Sequence, residues 1–130
     1  NPATSAAVAR IPRSKDADVN AAAAAAKAAF TGPWSKLSAV ERADILDRIA
    51  DGIHAHAEEL VRLESEDSGK TVTMASTVDI PRAESNFRFF AGQIRHDETG
   101  MCCHAMGNAI NYTLRCPIGV CGLITPWNLP

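Results

Sequence analysis

The sequence predicts an α/β chain in which a mostly helical N-terminal segment gives way to strands. Three observations carry that reading. Apolar residues recur at helical spacing from Val19 to Ile94. From Ile110 they alternate: Ile110, Tyr112, Leu114 and Cys116 are separated by Asn111, Thr113 and Arg115, the period of a strand with one buried face. Val120-Cys121-Gly122-Leu123-Ile124-Thr125 is then apolar without alternation, as in a parallel strand covered on both faces.

The elements follow in order. Val8 to Pro12 reads as a short edge strand, stopped by a proline that has no N–H to give. Asp16 or Asp18 caps the first helix, in which Val19, Ala22, Ala23, Ala26 and Phe30 repeat at helical spacing. The alanine block at 21–26 favours helix strongly, and Gly32-Pro33 ends it. Ser38-Ala39-Val40-Glu41 has the pattern of a capping box. Behind it Leu46, Ile49, Ala50, Ile53, Ala57, Leu60 and Val61 form one stripe, with Gly52 a weak point. Glu58 stands four residues before Arg62, a pairing distance. Gly69 is a natural helix stop, followed by Lys70. The next helix runs from about Pro81 to His96, because a first turn tolerates proline and Ala83, Phe87, Phe90, Ala91 and Ile94 share one face. Residues 71–78 form a short helix leading into it. Gly107-Asn108 turns between a strand near 100–104 and the alternating one.

Composition narrows the function classes. A hydrophobic fraction of 46% and a charged fraction of 22% are those of a folded globular chain. A net charge of −2 offers no cationic field for nucleic acid or an anionic membrane. No apolar run approaches the roughly 20 residues of a membrane helix. No secretory signal is visible, so Cys102, Cys103, Cys116 and Cys121 are expected to be free thiols in the cytoplasm, with Cys121 inert in a buried strand. Cys102-Cys103-His104 invites a zinc reading, but adjacent cysteines on a strand point to opposite faces, so no metal site is expected. His54 and His56, two apart on a helix, do not share a face. The chain starts at Asn1 and stops at Pro130 directly behind an apolar run, and so reads as a piece of something larger.

Pro117-Ile118-Gly119-Val120-Cys121-Gly122-Leu123-Ile124-Thr125-Pro126-Trp127-Asn128-Leu129-Pro130 resembles the first cofactor-domain strand and loop of the aldehyde dehydrogenases. Its specific part is Trp127-Asn128 after a proline, behind an apolar strand. Asn1-Pro2-Ala3-Thr4 is similar to the family's Asn-Pro-Ala-Thr-Gly, with Ser5 in place of the glycine. Trp34-Ser35 followed by Glu41-Arg42 resembles its first helical segment, and Glu64 to Lys70 resembles its Asp-Ser-Gly-Lys stretch. The resemblance covers essentially the whole chain. Asp79-Ile80-Pro81-Arg82 and Asn86 to Ala91 look most like the branch acting on muconic semialdehydes, with the betaine aldehyde enzymes a related alternative.

The resemblance implies a truncated α/β chain. Residues 1–98 would be the helical N-terminal part of a cofactor domain, 99–116 oligomerisation strands, and 117–130 the first Rossmann-like strand with its cofactor and oxyanion loop. It implies oxidation of a small aldehyde to the acid through a cysteine thioester, with NAD or NADP as cofactor and a homo-oligomer, dimer or tetramer, as the assembly. Asn128 would be the catalytic oxyanion donor, whose other reading is a residue closing a turn beside Pro130. Ile124, Thr125, Pro126 and Trp127 would lie against the cofactor, although Trp127 also reads as a core aromatic. Leu129 would face the substrate tunnel. Arg82 would grip a substrate carboxylate with its guanidinium fork; the alternative is a surface arginine paired with Asp79 or Glu84. The family's nucleophilic cysteine and base glutamate lie further along than Pro130, and none of the four cysteines stands in the nucleophile's context. Two other classes compete with the enzyme: a non-catalytic product that associates with full-length subunits, and a helical bundle with no ligand.

Overall fold

The computed structural model describes residues 1–96, 101–102 and 111–126. Among these residues the architecture comes from five α-helices. Helix α1 (Asp16–Thr31) begins where the Asp18 carboxylate accepts the Lys15 amide at 2.8 Å, and ends at Gly32. A 3-10 turn, Pro33–Lys36, leads on to α2 (Ala39–Ala55). The Ser38–Glu41 capping box forms as read: Ser38 Oγ accepts the Glu41 amide at 3.2 Å, and Glu41 Oε2 accepts the Ser38 amide at 2.7 Å. The Ser38 amide, and then the Ser38 hydroxyl, which donates to the same oxygen at 2.9 Å, hold the Glu41 carboxyl below its ordinary 4.5.

The long apolar stripe is two helices rather than one. The break falls at His56, whose backbone leaves helical geometry (φ −107°, ψ 19°), and α3 (Ala57–Ser68) follows. Gly52, the expected weak point, lies inside α2. Arg62 pairs forward with Glu66, its Nη1 2.9 Å from both oxygens, and not with Glu58. Gly69 closes α3 in the left-handed conformation (φ 74°), the geometry for which glycine is the natural residue.

Thr71 then caps α4 (Val72–Met74), its Oγ1 accepting the Met74 amide at 3.2 Å. Winding continues without a break through a π-helical turn, Ala75–Asp79, into α5 (Ile80–Arg95). Ser76 and Thr77 both donate hydroxyl hydrogen bonds back to the Thr73 carbonyl, which supports the widened turn.

Helices α2 and α5 form the main packed pair. Their ion pairs set the direction: Arg95 reaches Asp44 and Asp47, Arg88 reaches Asp51, and Glu84 meets His54, so the two run antiparallel. Ala43, Ala50, Ala75 and Ala91 are fully buried, and among the described residues no larger side chain is. Small residues at the α2–α5 seam let two backbones come close, but they bury little apolar area.

The expected α/β class is not what forms. Among the described residues the only β pairing is two residues a side, β1 (Met101–Cys102) against β2 (Asn111–Tyr112), antiparallel. Of the oligomerisation strands expected over 99–116 only this two-residue ladder forms among the described residues, and the Rossmann-like strand expected at 120–125 does not form. Val8–Pro12 likewise forms no strand. The physical reason is non-local. A parallel strand exists only beside a neighbour and beneath covering helices. Here Ile118, Leu123 and Ile124 are 97%, 86% and 99% exposed. Cys121, expected to be buried and inert, is an exposed free thiol, as is Cys116. The accessible surface totals 10,778 Å², against about 6,600 Å² for a compact monomer of this mass.

Candidate functional site

The expected site residues divide into three groups. Trp127, Asn128 and Leu129 lie outside the described residues. Ile124, Thr125 and Pro126 are exposed, outside any helix or strand. Arg82 is exposed in the first turn of α5. The cavities lined by 117–121 are closed by Phe30, Trp34 and Arg42, not by α5, so the described residues do not bring the loop and Arg82 together. A run of small and apolar residues ending in proline suits an edge contact with a flat ring. Nothing among the described residues closes around a dinucleotide.

Arg82 gains its character from its neighbours. The two carboxylates that the sequence offers it are both engaged elsewhere. Asp79 Oδ2 accepts Lys70 Nζ at 3.0 Å. Glu84 Oε1 accepts Arg88 Nε at 3.0 Å and Nη2 at 2.9 Å, while its Oε2 lies 3.1 Å from His54 Nδ1. The Arg88 hydrogen bonds, and then the His54 contact, hold the Glu84 carboxyl below its ordinary 4.5. Among the described residues Arg82 makes no ion pair. The reading of Arg82 as half of a surface pair with Asp79 or Glu84 is therefore not what the structure shows. The guanidinium is left with its five donors to offer.

A three-membered cluster lies just upstream, and the motif reading missed it. Lys70 Nζ donates to Glu64 Oε1 at 2.8 Å as well as to Asp79. The side chains of Lys70, Glu64 and Asp79 are 19%, 9% and 14% exposed, so the lysine lies largely out of water between two carboxylates. Its hydrogen bond to Glu64, ahead of the one to Asp79, keeps the ammonium charged above its ordinary 10.5. The reversal at Gly69 brings this about, since it turns the chain back so that Lys70 meets a residue six earlier. Two further hydrogen bonds fix the turn: Ser65 Oγ donates to the Lys70 carbonyl at 2.7 Å, and Ser68 Oγ to the Glu64 carbonyl at 2.6 Å. A lone lysine directly behind a helix-stop glycine, with acids on both sides, was the available signal. Arg42 is a second omission. Its Nε is buried with no partner among the described residues, against a cavity of about 460 Å³ shared with Trp34 and Pro117.

The sequence pattern of the aldehyde dehydrogenase family matches residues 1–130. The chain belongs to the aldehyde dehydrogenase family. It is 49% identical to the 2-aminomuconic semialdehyde dehydrogenase of Danio rerio, over 100% of this chain and 26% of that protein. Among solved structures it resembles one assigned as an aldehyde dehydrogenase from Burkholderia cenocepacia, with a TM-score of 0.86 and 39% identity over 95% of this chain and 25% of that one. It also resembles PnpE in complex with nicotinamide adenine dinucleotide, with a TM-score of 0.73 and 38% identity over 81% of this chain and 21% of that one. This aldehyde dehydrogenase chain thus spans about a quarter of the length of the relatives it matches. No helix among its described residues is long and apolar enough to cross a membrane.

Proposed function

We propose that this chain is the N-terminal segment of an NAD- or NADP-dependent enzyme that oxidises a small semialdehyde bearing a carboxylate to the corresponding acid. The observation that carries the reading is Arg82, a guanidinium at the head of α5 whose neighbouring acids are bound to other cations. A planar fork of this kind grips a carboxylate through two hydrogen bonds. The similarity to a 2-aminomuconic semialdehyde dehydrogenase supports the same substrate class.

In the proposed reaction a cysteine thiolate supplied by another part of the polypeptide attacks the aldehyde carbon, and the carbonyl oxygen becomes an oxyanion. Asn128 donates its side-chain amide to that oxygen. A bound nicotinamide would supply the hydride acceptor as the oxyanion collapses to a thioester, and water would release the acid and return the thiol. Ile124, Thr125, Pro126 and Trp127 line the cofactor edge, Leu129 the substrate passage, and Arg82 orients the substrate by its far end. The helices within 1–98 belong to the cofactor-binding part of the whole protein, which assembles as a homo-oligomer.

The test is a pair of variants in the complete enzyme. Asn128→Ala should slow turnover by about 10²–10³ with cofactor affinity nearly intact. Arg82→Ala should raise KM for 4-oxobutanoate far more than for butanal, an aldehyde of the same length with no carboxylate. Unchanged turnover in the first, or equal effects in the second, would refute the corresponding role.

A second reading has its own observation. The accessible surface is well above that of a compact monomer, with Phe89 and Phe90 63% and 58% exposed on α5. A 130-residue product would then act by associating with full-length subunits and would be non-catalytic. Co-expression with the full-length enzyme separates the two readings: a stable mixed assembly with depressed activity favours association, and its absence excludes it.

A further inference from the structure

We propose that Lys70 is a specificity-determining positioning residue: by holding Asp79 against Glu64, it keeps that carboxylate off Arg82 and leaves the guanidinium free for the carboxylate of the substrate. The inference rests on the role given to Arg82 above.

Asp79 and Arg82 are three residues apart on one continuous helix, a spacing at which opposite charges meet. An aspartate there with no other partner would close on Arg82 and occupy the fork that the substrate needs. Lys70 intervenes from a different element. The left-handed turn at Gly69 sends it under α3, where its Nζ sits 2.8 Å from Glu64 and 3.0 Å from Asp79. Burial decides the competition. The three groups of the cluster are less than one-fifth exposed, whereas Arg82 stands in water, and an ion pair at an exposed site is weak. Asp79 therefore stays with Lys70. Glu84, the other acid beside Arg82, is engaged by Arg88 through two hydrogen bonds to one oxygen and by His54 at the other, in a more exposed setting. Asp79 and Glu84 are thus both engaged by other cations, and among the described residues Arg82 makes no ion pair.

The experiment uses the complete enzyme that carries this chain, with 4-oxobutanoate and butanal as the matched substrates and reduction of NAD as the readout. Lys70→Met should raise KM for 4-oxobutanoate roughly two- to fivefold, the factor that an exposed ion pair commands. Its kcat, and KM for butanal, should stay at the wild-type values. Adding Asp79→Asn should restore KM for 4-oxobutanoate, because the competing charge is gone. Adding Glu64→Gln instead should not, because Asp79 keeps its charge. Lys70→Arg should behave as wild type. If Lys70→Met does not fold, the comparison between the two double variants decides alone. Equal KM values in those two, or a rise that extends equally to butanal, would mean that Lys70 is merely structural. Arg82→Ala separates the layers. If it affects both substrates alike, the role of Arg82 falls and the role of Lys70 with it. If it is selective while the Lys70 series is flat, the role of Lys70 falls alone.

Discussion

Replacing Gly69 with alanine tests the turn on which the Lys70 cluster depends. Gly69 has φ +74°, a conformation that disfavours an L-residue by about 1–2 kcal/mol. A Cβ built there would lie 2.9 Å from Pro2 Cγ, with Pro2 Cβ at 3.5 Å. Pro2 is exposed, in a turn fastened by Asn1, whose Oδ1 accepts the Ala3 amide at 2.9 Å and whose carbonyl accepts the Ser5 amide at 2.8 Å. Relieving the clash shifts that turn by about half an ångström and disturbs one such bond, worth about 0.5–1.5 kcal/mol. The total loss should be about 1.5–3.5 kcal/mol, read as a lower urea midpoint with an unchanged slope by circular dichroism. Two further variants separate the contributions. Gly69→Asn should lose less than the alanine variant, since asparagine tolerates this conformation better. Pro2→Ala added to Gly69→Ala should recover only the steric share. A loss below about 0.5 kcal/mol for Gly69→Ala, or an asparagine variant no better than the alanine one, would refute the reasoning.

Ser38→Ala removes one half of a formed capping box and should destabilise α2 by about 1 kcal/mol in the same assay; no change would mean that Glu41 alone holds the helix start. Ala91→Leu forces a large side chain into the α2–α5 seam and should lose about 1–3 kcal/mol, whereas the same change at exposed Ala24 should be nearly neutral. Glu84 is held below its ordinary 4.5, so its contribution to stability is fully present above 4.5 and disappears as pH falls through the lowered folded value. Glu84→Gln should therefore flatten the acid limb of a pH–stability titration, and an unchanged limb would remove Glu84 from the account. Lys70 titrates above its ordinary 10.5, so its contribution is fully present below 10.5 and fades as pH climbs through the raised folded value, a limb that Lys70→Met should abolish.

What was legible in the sequence was local. The capping box needs only Ser38 and Glu41, the stop at Gly69 only one glycine, and α5 only a proline in its first turn and a stripe of spacing. What failed depended on distant groups. Val120 to Thr125 is apolar enough to need cover, but an apolar run does not supply its own neighbours, and the run is exposed and forms no strand. The break at His56 interrupts a stripe that continues on both sides of it, so periodicity alone hides it. Arg62 had an acid at four residues in either direction, and spacing does not choose between them. Family likeness found Arg82. What surrounds Arg82 was not legible, because Lys70, His54 and Arg88 reach its neighbouring acids across 9, 30 and 4 residues of chain.

The π-helical turn Ala75–Asp79 makes chain length at this point a matter of helical phase. Deleting one residue, Thr77 or Val78, would let ordinary α winding run from Val72 to Arg95 and would remake nearly every backbone hydrogen bond. The helix would survive, and its aim with it. Each residue turns an α-helix by about 100°, and the wider turn absorbs about one residue beyond what an α turn holds. A deletion that removes the π turn would therefore leave Arg88 and Arg95 facing Asp51, Asp44 and Asp47, and Arg82 in place with them. Losing a residue from the α-helical stretch after Asp79 has no such turn to absorb it and would re-aim the face beyond it in a single step.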